Sequence, residues 1–305
     1  MSGLIEITKP LKIGHERICN CPLNHINCMT PKEWIQSQVA IWEFFYEKRD
    51  IRDKDIHPAV FPIGLPARCI QLFTHQGELV LDPFVGTGTT LVAAFDLNRN
   101  AVGFDLNKEY VNLANKRIAQ AKLDVWNEKP QTSTVQIAIC DDAHNIPEYL
   151  QPESVALAVT SPPYANMLNR RRLNKSLRGD LRKNEHYLKI QQYSNDPRDL
   201  GTMEPKRYVQ VLGEIYKGIL PLLKPKAHSI INITDLWWKK GKYGTRIPLH
   251  IYVIEEMERI GYELRNIIIW DRRDLVNKVG IFGWPSNYIT LGTTFEYILD
   301  FWRPP

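Results

Sequence analysis

Five consecutive residues, Thr160-Ser161-Pro162-Pro163-Tyr164, combine hydroxyls, two prolines and a flat aromatic ring. Proline has no N–H to donate, so a Pro-Pro pair cannot extend a sheet ladder. It stiffens the chain and turns its carbonyls outward. The corner therefore offers hydrogen-bond acceptors beside a stacking surface, which would suit a planar ring bearing an amino group. An ordinary Pro-Pro turn with a packed tyrosine fits the same five residues, so the corner alone does not decide. A second run, Asp82-Pro83-Phe84-Val85-Gly86-Thr87-Gly88-Thr89-Thr90, puts two glycines in a short turn. Glycine lets the backbone approach a ligand closely. Asp105 follows 17 residues after Gly88 and could bind both hydroxyls of a ribose. The run lacks the G-x-x-x-x-G-K of a phosphate loop and the third glycine of G-x-G-x-x-G. A nucleoside-type cofactor fits it better than a dinucleotide.

The surrounding elements supply positions for these groups. Glu78 to Leu81 reads as an apolar strand running into the glycine turn, and Leu91 to Phe95 opens a helix. Ala101 to Asp105, Val135 to Cys140 and Ser154 to Val159 read as three more strands, with Asp141-Asp142-Ala143 ending the third of the four. Helical spacing predicts helices over 66–75, 108–122, 208–223 and 247–260, and strands over 229–233, 267–270 and 295–301. Alternating strands and helices imply an α/β fold, a doubly wound, mostly parallel sheet that gathers ligands at its carboxyl rim. Four strands ending in polar or special residues on one rim are hard to ascribe to accident.

The chain has 305 residues, of which 44% are hydrophobic, enough for a large α/β core. No apolar run reaches the roughly 18 residues of a membrane span, and Met1 to Pro10 lacks the apolar core of a signal peptide. A soluble, cytoplasmic protein is expected. Thr30 followed by Pro31 predicts a helix start. Trp34, Gln38, Ile41, Trp42 and Phe45 recur at helical spacing as a core-facing stripe. Of the five cysteines (Cys19, Cys21, Cys28, Cys69, Cys140), the first three flank His25. Three thiols and an imidazole could bind zinc, but the spacing is not a standard one. They are read as free thiols and no metal is assigned.

Charge is concentrated in one place. Residues 170–189 hold eight basic and two acidic side chains, a balance of +6 in a chain whose total is +5. A charge run is usually a solvated face. Here Arg170, Arg171, Arg172, Lys175, Arg178, Arg182 and Lys183 begin just behind Tyr164, interleaved with Asn169, Asn174, Tyr187 and Tyr193, which favours contact with a polyanion.

Together these motifs resemble the S-adenosylmethionine-dependent DNA methyltransferases that modify exocyclic amino groups. DPFVGTGTT is similar to that family's cofactor motif. TSPPY is similar to its catalytic motif in the form typical of cytosine-N4 enzymes. His57-Pro58-Ala59-Val60-Phe61-Pro62 resembles the element that helps hold the methionine part, and residues 208–303 resemble the catalytic half. The cofactor motif comes first, as in a permuted arrangement.

The resemblance implies a seven-stranded, Rossmann-like class I methyltransferase domain over 57–305, an extension over 1–56 and a DNA-contacting insert at about 165–207. It implies S-adenosylmethionine held by Phe61, Pro62, Asp82, Pro83, Phe84, Gly86, Gly88, Thr89, Asp105, Leu106, Asp142 and Ala143, with Asp141 competing for the role of Asp142. It implies Ser161, Pro162, Pro163 and Tyr164 around a flipped cytosine in double-stranded DNA, in a monomer or homodimer with a cognate restriction endonuclease as a companion. Adenine-N6 methylation, RNA amino-methylation and a non-catalytic cofactor-binding subunit are the alternatives.

Overall fold

The computed structural model describes residues 7–22, 24–51, 57, 60–124, 133–167, 196–240, 243–275 and 293–305. In chain order the helices are α1 (Pro31–Ser37), α2 (Gly64–Phe73), α3 (Thr89–Asp96), α4 (Lys108–Asp124), α5 (Ile146–Tyr149), α6 (Pro205–Ile219) and α7 (Leu249–Arg259). The strands are β1 (Ile41–Glu43), β2 (Leu79–Asp82), β3 (Asn100–Asp105), β4 (Gln136–Cys140), β5 (Val155–Thr160), β6 (Leu223–Ile233), β7 (Leu236–Lys240), β8 (Tyr243–Ile247), β9 (Glu263–Asp271) and β10 (Phe295–Trp302).

Eight strands form one sheet in the order β1-β9-β10-β6-β5-β2-β3-β4, while β7 and β8 pair as a separate antiparallel ribbon. Strands β2 to β6 run parallel, and only β10 runs antiparallel to its neighbours. The central strands are mostly apolar, as a sheet covered on both faces requires, with polar residues such as Asp82, Asp105 and Thr160 at their carboxyl ends. All six residues of β5 and all four of β2 are buried. After β2 the chain winds outward through β3 and β4, then returns to place β5 on the other side of β2. The switch point between β2 and β5 is where such sheets open a crevice.

The sheet has one strand more than the expected seven, and its source corrects the reading of the N-terminal stripe. Helix α1 begins as expected: Thr30 caps it in a reciprocal box with Glu33, and Pro31 follows. It stops at Ser37 and buries none of its residues. Beyond it the burial alternates, with Ile41 and Phe45 exposed but Trp42 and Phe44 buried. That is the period of a strand, and Ile41–Glu43 pairs in parallel with β9. The indole of Trp42 packs edge-on against Phe44, and Phe44 against Trp270 of β9. Among the described residues no helix is long and apolar enough to cross a membrane.

Candidate functional site

Because β2, β3, β4 and β5 are parallel, Asp82, Asp105, Asp141 and Thr160 all arrive at one rim. Asp82 is the joint between the two motifs. Its carboxyl is buried and accepts from the hydroxyls of Thr90 and Thr160, both at 2.5 Å, and from the Phe84 N–H at 3.1 Å. One side chain thus ties the glycine turn, the start of α3 and the residue before Ser161, bridging 78 positions of sequence. Burial pushes its pKa up to about 6, against the pull of those hydrogen bonds. Neither Asp82, Gly88 nor Pro62 lines the cavity that opens above the rim. Asp82 positions the site from beneath.

The glycine turn divides its labour. Gly86 has φ +49°, and a Cβ there would stand 2.9 Å from His57 Nε2 in the cavity wall. Gly88 has φ +84°, and its Cβ would strike the Cβ of Ala114 on α4 at 2.7 Å. Gly88 therefore serves the seating of α3 against α4, whereas Gly86 opens the turn toward the cavity.

Asp105 stands at the end of β3. Its two oxygens each accept one backbone N–H, from Asn107 at 2.8 Å and Gly86 at 3.0 Å. Burial nevertheless raises its pKa to about 7. Phe61, Phe84, Leu106 and Tyr110 supply apolar lining to the same cavity, and Asp142 and Ala143 line it as well. Asp142 caps a short turn through the His144 N–H and meets Arg198 Nη1 at 3.3 Å. Burial would raise the neighbouring Asp141, but bonds from Tyr149, Asn145 and the Asp142 N–H hold it below the ordinary carboxylate value. Both acids line the cavity.

Ser161, Pro162, Pro163 and Tyr164 line the same cavity. Tyr164 is only 7% exposed, more enclosed than an open stacking platform. Its hydroxyl lies 2.8 Å from Ser161 Oγ and 2.8 Å from Glu296 Oε2. Asn232 Nδ2 reaches the Tyr164 hydroxyl at 2.9 Å and Glu296 at 2.6 Å, and Arg272 pairs with the second Glu296 oxygen. A carboxylate so paired only accepts, so Tyr164 donates to Glu296 and Ser161 donates to Tyr164. Asn232 Nδ2 also reaches Ser161 Oγ at 3.3 Å, which leaves one lone pair of that oxygen as an acceptor.

Sequence reasoning did not find Asn232, Glu296 or Arg272. The one available signal was a polar residue inside the apolar run of β6 and another inside β10. The basic residues Arg170, Arg171, Arg172, Lys175, Arg178, Arg182 and Lys183 lie outside the described residues.

Residues 23–116 match the family model described as DNA methylase, which contains the glycine turn and Asp105. Two curated relatives are the type II methyltransferase M.BglI of Bacillus subtilis and M.MjaI of Methanocaldococcus jannaschii. The first is 39% identical over 93 residues, 30% of this chain and 26% of the relative. The second is 35% identical over 103 residues, 32% of each. The matched segment thus spans about a quarter to a third of those relatives. A solved SAM-dependent methyltransferase from Methanosarcina mazei aligns at TM-score 0.43 and 10% identity, covering 74% of this chain and 92% of that one. Over the matched segment the resemblance to the DNA amino-methyltransferases is borne out.

Proposed function

We propose that this chain transfers a methyl group from S-adenosylmethionine to the exocyclic N4 amine of a cytosine flipped out of duplex DNA. The observation that carries this reading is that one cavity is lined by both Asp105 and Ser161. The residues suit the cofactor. Asp105 has acceptor capacity left on both oxygens for ribose hydroxyls, Phe84 and Leu106 offer apolar lining to a flat ring, and Gly86 keeps the turn open. When bound, the cofactor supplies an electrophilic methyl on a sulfonium.

The amine is a poor nucleophile because its lone pair is delocalised into the ring. Ser161 Oγ and the Pro162 carbonyl would accept its two hydrogens and turn the remaining lone pair toward the methyl group. Rate enhancement then comes from proximity and orientation. Flipping the base costs a few kcal/mol, offset by stacking and hydrogen bonds in the pocket. Ser161 in the Ser-Pro-Pro-Tyr corner supports cytosine over adenine through the resemblance of that motif. The chain contains no Pro-Cys pair, the nucleophile that methylation of a ring carbon would use. Nucleoside mass spectrometry after incubation of DNA and RNA with isotope-labelled cofactor tests the reading. Labelled N4-methylcytosine in DNA alone is the expected product. N6-methyladenine, or label in RNA only, overturns it.

The basic segment behind the corner is proposed to hold the DNA backbone. Alanine at Arg170, Arg171 and Arg172 together should weaken DNA binding and flatten its dependence on log salt by about one unit per lost phosphate contact. A salt titration of binding to duplex DNA measures both, and an unchanged slope would remove these residues from the interface.

A further inference from the structure

Far from the cavity, Cys19, Cys21, Cys28 and His75 bring three Sγ atoms and one imidazole nitrogen within 4.8 Å of one another. The imidazole is His75, not the His25 of the local sequence pattern. His75 Nδ1 stands 3.3 Å from Cys19 Sγ and 3.5 Å from Cys28 Sγ. His25 contributes its backbone: its carbonyl lies 2.8 Å from His75 Nε2. A carbonyl only accepts, so Nε2 carries the proton and Nδ1 turns a lone pair toward the thiols. That is how a metal-ligating histidine is usually oriented by its outer partner.

We propose that these four residues form a closed structural zinc site. Soft sulfur ligands with one imidazole select zinc over calcium or magnesium, which take oxygen. With Zn–S near 2.3 Å and Zn–N near 2.0 Å, tetrahedral coordination sets ligand atoms about 3.5–3.8 Å apart. The two nitrogen–sulfur distances, 3.3 and 3.5 Å, are close to that spacing, and no pair in the cluster exceeds 4.8 Å. Three thiols also cannot be consumed by a single disulfide, which leaves one over. Four protein ligands leave no open position, so the site is structural rather than catalytic.

Its location agrees. His75 follows the C-terminal end of α2 and precedes β2, whereas Phe61, before the N-terminal end of α2, lines the cavity. The ten residues of α2 place about 15 Å between the two. Residues 7–22 and 24–30 contain no helix or strand, so little local structure holds them. They are fastened here instead: Ile18 N–H bonds the Gln76 carbonyl at 2.8 Å, Asn27 Nδ2 bonds the Leu72 carbonyl at 2.8 Å, and a Cβ at Gly77 would lie 2.6 Å from the Glu16 carbonyl. The metal would clip this stretch to the amino-end rim of the sheet, opposite the cavity.

The full chain, grown with zinc and dialysed against metal-free buffer, should retain one zinc per chain by plasma emission analysis. Cobalt titrated into the stripped chain should give the thiolate charge-transfer band and the strong visible bands of a tetrahedral site. Cys28→Ser and His75→Ala should weaken metal binding by about 100-fold or more, while His25→Ala, Cys69→Ser and Cys140→Ser keep it. Wild-type chain that holds no zinc and gives no cobalt–thiolate band overturns the proposal, even if the ligand variants do not fold. So does loss of metal with His25→Ala and its retention with His75→Ala.

Discussion

Replacing Ser161 with alanine should lower kcat for methyl transfer by about 10²–10³-fold, the cost of removing one placed hydrogen-bonding group at a reacting centre. Binding of the cofactor should be unchanged, because the ribose is proposed to bond Asp105 and Ser161 is proposed to hold only the amine of the base. The network behind the serine sharpens the test. Ser161 donates to Tyr164, and Tyr164 to Glu296, which is charge-paired with Arg272. Tyr164→Phe keeps the ring but removes the hydroxyl that takes the serine proton, so the serine hydrogen becomes free to point at the substrate. A smaller loss, in kcat rather than in cofactor affinity, is expected from this variant. Single-turnover transfer and calorimetric cofactor binding separate the two quantities. Full activity of Ser161→Ala on duplex DNA would show that the amine is held by something else.

Asp105→Asn should act on the cofactor instead, weakening its binding by about 10–100-fold, which corresponds to roughly 1.5–3 kcal/mol for hydrogen bonds to a charged acceptor. The pH dependence identifies the cause. Burial raises the Asp105 pKa from 3.8 to about 7 in the absence of ligand. Ribose hydroxyls donating to the carboxylate favour its charged form, so binding expels the proton. Below about pH 7 the wild-type Kd should therefore rise, approaching tenfold per unit. With asparagine this rise should vanish.

Folding stability carries the same signature with its own sign. A raised carboxyl pKa contributes stability that is fully present below the unfolded value of 3.8 and is lost as pH rises through about 7. Thermal melts of the ligand-free chain across that window should slope downward with pH, less steeply for Asp105→Asn. A flat cofactor affinity between pH 5 and 8 would place the ribose elsewhere.

Much of this site is encoded in contiguous residues. The glycine turn, Asp105 and the Ser-Pro-Pro-Tyr corner were legible because their conformations are local. Gly86 and Gly88 adopt positive φ where the motif demands it, and two prolines end β5 wherever they fall. The parallel order of the strands followed from the alternation of strand and helix, which the sheet repeats from β2 to β6.

What the tertiary structure decided are the contacts between segments far apart in the chain. The groups behind Ser161 come from β6, β10 and the residue that follows β9, and no spacing rule links Asn232, Arg272 and Glu296 to residue 161. They meet because β10 enters antiparallel between β6 and β9, in a register that sets Ile298 opposite both Asn232 and Ile268. A slip of one residue would turn each side chain to the other face. The same reason explains Trp42, whose strand exists only because β9 offers it an edge. It also explains His75, which stands beside Cys19 through the packing of an irregular stretch against the end of α2. Local sequence sets what a residue is able to do; the register and order of the sheet set which residues it does it with.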